Sequence, residues 1–307
     1  MVNPELYPFQ SRFHHIGDLK YHYLDEGEGP VVVMVHGNPT WSFYFRNLVK
    51  HLRASFRIIV PDHMGCGLSD KPNDDRYDYS LKSRVDDLES LLDHLEIREN
   101  ITLVLHDWGG MIGMAYADRV PERINGLVIM NTAAFFLPQN KTFPPALWLA
   151  RNTGLGAFLV RGLNAFCRAA GRVCAKRKPL TKELRRAYMA PYDSWANRIA
   201  VLRFVQDIPL KPGDRSYSLV QKVQDGLGRF AETPMLICWG ERDFVFSTHF
   251  LDRWQAYFPQ ARIHRFADCG HYILEDAKEE ILPLISDFLE AHAPVPSGKT
   301  NAANLSV

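Results

Sequence analysis

Leu105-His106-Asp107-Trp108-Gly109-Gly110, LHDWGG (105–110), closes the apolar run ITLV (101–104) and opens the run MIGMAYADRV (111–120). The first run has the continuous apolar character of a strand buried on both faces. The second has the spacing of a helix. A carboxylate stands at the corner between them, where many enzymes carry a serine. Gly109 and Gly110 supply the small neighbours that a sharp, strained turn needs.

The same strand character recurs on both sides of this corner. VVVMVHG (31–37) and RIIVPD (57–62) precede it; INGLVIMN (124–131), PMLICWG (234–240) and ARIHRFAD (261–268) follow. SRFHHIGDLKYHYLDE (11–26) reads as two short strands joined at Gly17-Asp18. Helix patterns lie between the runs. SLKSRVDDLESLLDHLEI (80–97) starts at a capping Ser80 and puts Val85, Leu88, Leu92 and Leu95 on one stripe. THFLDRWQAYF (248–258) and DAKEEILPLISDFLEAHA (276–293) are similar, with Asp276 as the expected cap of the second. Strands alternating with helices predict a mostly parallel sheet covered on both faces.

The alternation stops between about Phe135 and Phe230, where the chain is helix-like, aromatic and rich in arginine. The expected organisation is a core over 1–134, a helical cap over 135–230, the rest of the core over 231–293, and a polar tail over 294–307. A cap over the sheet's C-terminal edge would shape a pocket there.

Composition narrows the function classes. The 307 residues carry a formal net charge of +1, which gives no global attraction to nucleic acid. No apolar run reaches the roughly 18 residues of a membrane span. MVNPELYPFQ (1–10) lacks the charged and apolar regions of a secretory signal, so a cytoplasmic location is expected. Cys66, Cys167, Cys174, Cys238 and Cys269 are scattered, with no spacing that implies zinc or a disulfide frame. No metal and no cofactor are expected.

Three chemistry-bearing residues follow strands in order: Asp107, Asp243 after PMLICWGER, and His271 after ARIHRFADCG. Nucleophile, acid, histidine is the chain order of the α/β-hydrolases. Leu105 stands where the common GxSxG pattern has glycine, which departs from a generic esterase. The turn HGNPT (36–40) would aim the backbone N–H of Asn38, beside that of Trp108, at the reacting centre. Their side chains add an amide and an indole N–H, a pair suited to an anionic leaving group.

HGNPTWSF (36–43), PDHMGCGLSDKP (61–72), LHDWGG and GHYILED (270–276) resemble the haloalkane dehalogenases of the α/β-hydrolase fold. That resemblance implies about eight strands, with the cap inserted after the sixth. It implies Asp107 as nucleophile toward a saturated carbon, His271 as base, and Asn38 and Trp108 as leaving-group donors. Some dehalogenases place the acid after the sixth strand. Here that position is Asn131, which leaves Asp243 and gives an Asp-His-Asp triad, as in subfamily III.

NTAAFFLP (131–138), RRAYMAPYDSWANRIAVLRFVQDIPL (185–210) and GHYILEDA (270–277) further resemble the OleB-type β-lactone decarboxylases of bacterial long-chain olefin biosynthesis. That resemblance, over residues 7–293, implies conversion of a cis-3,4-dialkyl oxetan-2-one into a cis-alkene and carbon dioxide. Asp107 would open the ring at the β-carbon; attack at the carbonyl is the competing route. The substrate would be small and hydrophobic. Partner enzymes of a multi-enzyme assembly, or further copies of the chain, would be the protein partners. A haloalkane dehalogenase is the alternative activity. An epoxide hydrolase would need cap tyrosines, for which Tyr188 and Tyr192 are the candidates. A silent hydrolase-fold binding module ranks last, because all three triad residues are present.

Other residues read as structural: His106 points away from the reaction, His36 shapes its loop, and Asp62 with Ser69-Asp70 organises a turn. Between Arg161 and Arg186 stand nine Lys/Arg and one acid, Glu183. Such a run reads first as a solvated face. Leu159, Leu163, Phe166, Ala170 and Val173 form an apolar stripe on the same stretch, so it also reads as an amphipathic helix able to dock on a partner or on anionic lipid.

Overall fold

The structure is a computed structural model that describes residues 2–294. The tail expected over 294–307 lies, but for Pro294, outside the described residues.

Eight strands form one sheet: β1 (Arg12–Ile16), β2 (Leu19–Glu26), β3 (Val31–Val35), β4 (Arg57–Pro61), β5 (Ile101–Asp107), β6 (Ile124–Thr132), β7 (Met235–Gly240) and β8 (Arg262–Phe266). Their order is β1-β2-β4-β3-β5-β6-β7-β8. β2 runs antiparallel to β1 and β4, and the other pairings are parallel.

The continuous apolar runs have a plain cause. Val33, Val35, Leu103, Leu105, Leu127 and Ile129 point into one core layer. Their neighbours Val32, Met34, Val104, Val128 and Met130 point into the other. A strand with helices on both faces has no solvent side, so it does not alternate with polar residues.

The helices are α1 (Arg46–Leu52), α2 (Leu81–His94), α3 (Trp108–Arg119), α4 (Pro145–Asn152), α5 (Gly154–Arg161), α6 (Ala165–Val173), α7 (Lys182–Met189), α8 (Ile199–Gln206), α9 (Tyr217–Gly226), α10 (Thr248–Tyr257), α11 (Ile273–Asp276) and α12 (Lys278–Ala291). Ser80 caps α2 as expected, its Oγ accepting from Ser83 N at 3.2 Å. Val85, Leu88 and Leu92 of α2 are buried.

Helices α4 to α9 fall between β6 and β7. Part of this insertion has its own apolar centre, including Val160, Cys167, Tyr192, Leu202 and Val205. Val220, Val223, Leu227 and Phe230, at its C-terminal end, instead bury themselves in the sheet's core layer.

Two expectations need correction. Asp276 does not cap α12, whose N-cap is Ala277 with no side-chain bond. Buried and acceptor-rich, Asp276 takes the backbone N–H groups of Lys176, Arg177, Lys178 and Gly270 instead. It therefore fastens cap residues 176–178 to the loop that carries His271. The apolar stripe from Leu159 to Val173 is not one helix. It breaks between α5 and α6 at Asn164, whose φ is 53°. Leu163 is left exposed, while Phe166, Ala170 and Val173 turn toward a cavity.

Candidate active site

The turn from β5 into α3 presents Asp107. Its backbone sits at φ 54°, ψ −127°, a region that costs a non-glycine residue of order 1–3 kcal/mol. Its surroundings hold it there. The β5–β6 register shifts between His106 and Asp107. The Thr132 hydroxyl donates to the Asp107 carbonyl, and Thr132 O accepts from the Trp254 indole at 2.8 Å. A Cβ at Gly109 would strike the Val35 carbonyl, and one at Gly110 would strike Thr132. That close approach is why both positions are glycine.

The carboxylate of Asp107 is buried and doubly engaged. Oδ1 accepts from the backbone N–H of Asn38 at 2.6 Å. Oδ2 lies 3.4 Å from His271 Nε2. On its far side His271 Nδ1 lies 2.7 Å from Asp243 Oδ2. The three residues that sequence order selected thus meet in one line. Asp243 Oδ1 accepts from Val245 N at 2.8 Å and Phe246 N at 3.1 Å, which fixes the carboxylate in its turn.

Asn131, read from sequence only as a missing acid, has a positive part here. Its Nδ2 donates to Asp243 Oδ2 and to Gly240 O, both at 3.0 Å. Its Oδ1 accepts from Gly240 N at 2.8 Å. An amide has both the donors and the acceptor for this position, whereas an ionised carboxylate there would face both Asp243 and a carbonyl. Nothing in the local sequence signals this contact, which spans over a hundred residues.

His106 points away from the cavity, as expected. Its Nε2 lies 2.8 Å from the carbonyl of His271, and its ring stacks on Tyr44 with centroids 4.2 Å apart. Burial and the neighbouring His271 hold its pKa down at about 3, so it is a neutral donor to that carbonyl. His36 and Asp62 are structural too. His36 Nε2 accepts from His63 N at 3.1 Å. Asp62 accepts from Ser42 N at 2.6 Å and Leu68 N at 2.9 Å.

Electrostatics favours a zwitterionic site. Burial opposes charge on His271, but Asp243 and Asp107 outweigh it and lift the imidazole pKa to about 10. Burial likewise opposes ionisation of Asp107, yet the hydrogen bond and charge of His271, with the Asn38 N–H, bring its carboxyl below the usual value. At neutral pH the Asp107 carboxylate therefore faces a charged imidazolium.

Asn38, Trp108, Asp107 and His271 all line one cavity of about 470 Å³. Its other walls are almost wholly apolar, among them Phe136, Phe143, Leu147, Phe166, Ile208 and Phe246. The side-chain amide of Asn38 donates one N–H to the Val201 carbonyl of α8 at 3.1 Å. The Trp108 ring packs on Phe204 of the same helix, centroids 5.4 Å apart. One cap helix therefore touches both expected leaving-group donors. Tyr188 and Tyr192 do not line the cavity. Tyr188 bonds Glu275 at 2.5 Å and Tyr192 bonds Thr40 O at 3.2 Å, so neither is poised to protonate an epoxide.

A family model described as the alpha/beta hydrolase fold matches residues 30–278, and the chain belongs to that family. A cis-3-alkyl-4-alkyloxetan-2-one decarboxylase of Shewanella oneidensis is 61% identical over 284 residues, 92% of this chain and 89% of its own. A protein of the same name from Xanthomonas campestris is 49% identical, covering 87% and 91%. Within the fold family the chain belongs with these decarboxylases. Haloalkane dehalogenase 2 of Mycobacterium tuberculosis is a more distant relative at 30% identity, covering 92% of this chain and 96% of that one. Among solved structures, an ancestral haloalkane dehalogenase superposes with a TM-score of 0.82 at 27% identity, over 91% of this chain and 98% of its own.

Proposed function

We propose that the protein converts cis-3,4-dialkyl oxetan-2-ones into cis-alkenes and carbon dioxide, with Asp107 as nucleophile. One observation carries this reading: Asp107, His271 and the side chains of Asn38 and Trp108 line one apolar cavity large enough for alkyl chains. The 61% identity to a protein named for this reaction supports it.

A carboxylate attacks a carbonyl poorly but displaces a good leaving group at a saturated carbon. The Asp107 oxygen forms a bond to the ring β-carbon with inversion, and the bond from that carbon to the ring oxygen breaks. Its electrons leave as a carboxylate on the α-carbon, received by the side-chain N–H groups of Asn38 and Trp108. In the second step the bond between the α-carbon and this carboxylate breaks. Its electrons form the alkene, carbon dioxide departs, and the ester bond to Asp107 cleaves on the opposite face. Inversion followed by anti elimination returns a cis-alkene from a cis-lactone. No water is consumed. In the second step Asp107 is itself the leaving group, and the charged His271, held by Asp243, stabilises the carboxylate as it is released.

The dehalogenase activity is a second reading, favoured by His271 Nε2 at 3.4 Å from the nucleophile. On this route the halide leaves and no substrate carboxylate stays beside the alkylated Asp107, so His271 loses one of the two acidic partners that hold its proton, gives that proton to solvent and becomes a base able to activate water. Incubation with a long-chain cis-β-lactone and, separately, with 1,2-dibromoethane tests the two. Alkene and carbon dioxide from the lactone are expected. Fast bromide release with no alkene overturns the proposal. In H₂¹⁸O the decarboxylation leaves Asp107 unlabelled after many turnovers, whereas hydrolysis of an aspartyl ester would label it.

A further inference from the structure

We propose that the cap face formed by α5, α6 and Trp195 docks on an anionic lipid bilayer, with the cavity mouth beside the contact. That the bilayer then supplies the substrate rests on the lactone reading; the docking itself does not.

Of the ten large apolar side chains exposed among the described residues, seven fall between residues 135 and 230. The cap carries most of the exposed large apolar surface. Leu155 and Phe158 lie three residues apart on α5 and share a helix face. The Trp195 ring lies 6.4 Å from the Phe158 ring, and the Arg161 guanidinium sits 4.7 Å over Trp195. Phe158 and Trp195 are each about half exposed, at 51% and 49%.

Helix α6 joins this face to the cavity. Phe166, Ala169, Ala170 and Val173 line the cavity, while Arg168 and Arg172, four residues apart, are exposed. Val173, Leu210 and Phe244 are both cavity-lining and exposed, which locates the mouth beside α6.

The structure also sorts the basic run. Arg177 is committed to Asp268 and Glu280, so it belongs to the fold. On α6 itself Arg168 and Arg172 are exposed, and among the described residues neither takes part in an ion pair. A second copy docked by a two-fold axis would bring these like charges together. Residues 295–307 hold one lysine and no acid, so they do not complement the face either. Anionic headgroups do, each exposed Arg near the surface adding to the attraction. Half-exposed Trp and Phe beside arginines suit the depth of the headgroup layer. A lactone with two alkyl chains, and the alkene made from it, partition into the hydrocarbon interior just beneath that layer.

Flotation of the full-length protein tests this, with vesicles of phosphatidylcholine alone and of phosphatidylcholine mixed with phosphatidylglycerol, at an ionic strength of about 0.15 M. The protein is expected to float with the mixed vesicles and not with the neutral ones. Arg168→Glu with Arg172→Glu is expected to weaken flotation by about tenfold or more. Phe158→Ser with Trp195→Ser is expected to weaken it comparably. Both double variants should keep the unfolding temperature of the parent, and its turnover of detergent-dispersed lactone. Failure of the parent to float, equal flotation with neutral vesicles, or variants that float as well as the parent overturn the proposal. So does loss of a co-purifying partner enzyme in the variants while flotation persists, which would assign the face to a protein. If the parent floats but forms no alkene, the docking stands and the lactone reading falls.

Discussion

The floor of the cavity and its walls are built by different rules. At the floor, Asp107, His271 and Asp243 have both polar side-chain atoms engaged, at 2.6 to 3.4 Å. Asn131, His106 and Thr132 hold those three in turn. In the walls, Phe143, Leu147, Phe166 and Ile208 offer rings and methyl groups with no directional contact to the substrate space. Directional bonds fail when an atom moves by a fraction of an ångström, whereas apolar contacts scale with area and tolerate reshaping. The floor thus fixes the reaction, and the walls grade the substrates.

The harshest test of that division is Asp107→Asn, which removes the nucleophile while keeping its shape. Alkene formation, measured by gas chromatography, is expected to fall by about four orders of magnitude with little change in unfolding temperature. Retention of even a tenth of the parent rate would break the comparison. Asn131→Ala comes next. It leaves Gly240 N–H without its acceptor and frees the Asp243 carboxylate, so a loss of about 1–3 kcal/mol of stability is expected, with turnover down about tenfold. A variant with parental turnover would remove Asn131 from the support of the triad.

Phe166→Ala probes the walls. It should shift the kcat/KM ratio between long-chain and short-chain lactones several-fold and leave the highest kcat within about twofold, since only uniform binding area is lost. A fall in kcat as large as that of Asn131→Ala would erase the distinction between floor and walls.

The smallest effect is on the pH dependence of stability. The folded protein holds the His271 proton more tightly, at about 10 against an ordinary 6.5. The resulting stabilisation is whole below about pH 6.5 and drains away as pH rises toward about 10. The unfolding temperature of the parent should therefore decline across that window relative to His271→Gln. Parallel curves would mean that the imidazole is not held charged.

The central strands β3 to β7 were legible because burial on both faces writes an uninterrupted apolar run, whereas β1, β2 and β8 at the sheet's edges carry charged or histidine side chains and read less plainly. The places of Asp107, Asp243 and His271 followed from chain order. What stayed hidden depends on contacts distant in sequence. Asp276 looks like a cap because an acid precedes a helix pattern, yet three of its four partners lie about a hundred residues upstream. Asn131 looks like a missing acid until Gly240 and Asp243 are seen around it. The basic stretch looks like one helix because its apolar spacing runs unbroken past Asn164, whose left-handed backbone interrupts it.

The bond from the Asn38 amide to the Val201 carbonyl joins the polar pocket to a helix 163 residues away. It makes the cap something other than an interchangeable lid. A foreign cap grafted onto this core would bring its own carbonyl near Asn38, and a small offset there would turn the amide that meets the departing anion. Cap transplants between relatives would then transmit leaving-group preference along with substrate shape, and lineages that exchange or remodel this helix inherit both traits together.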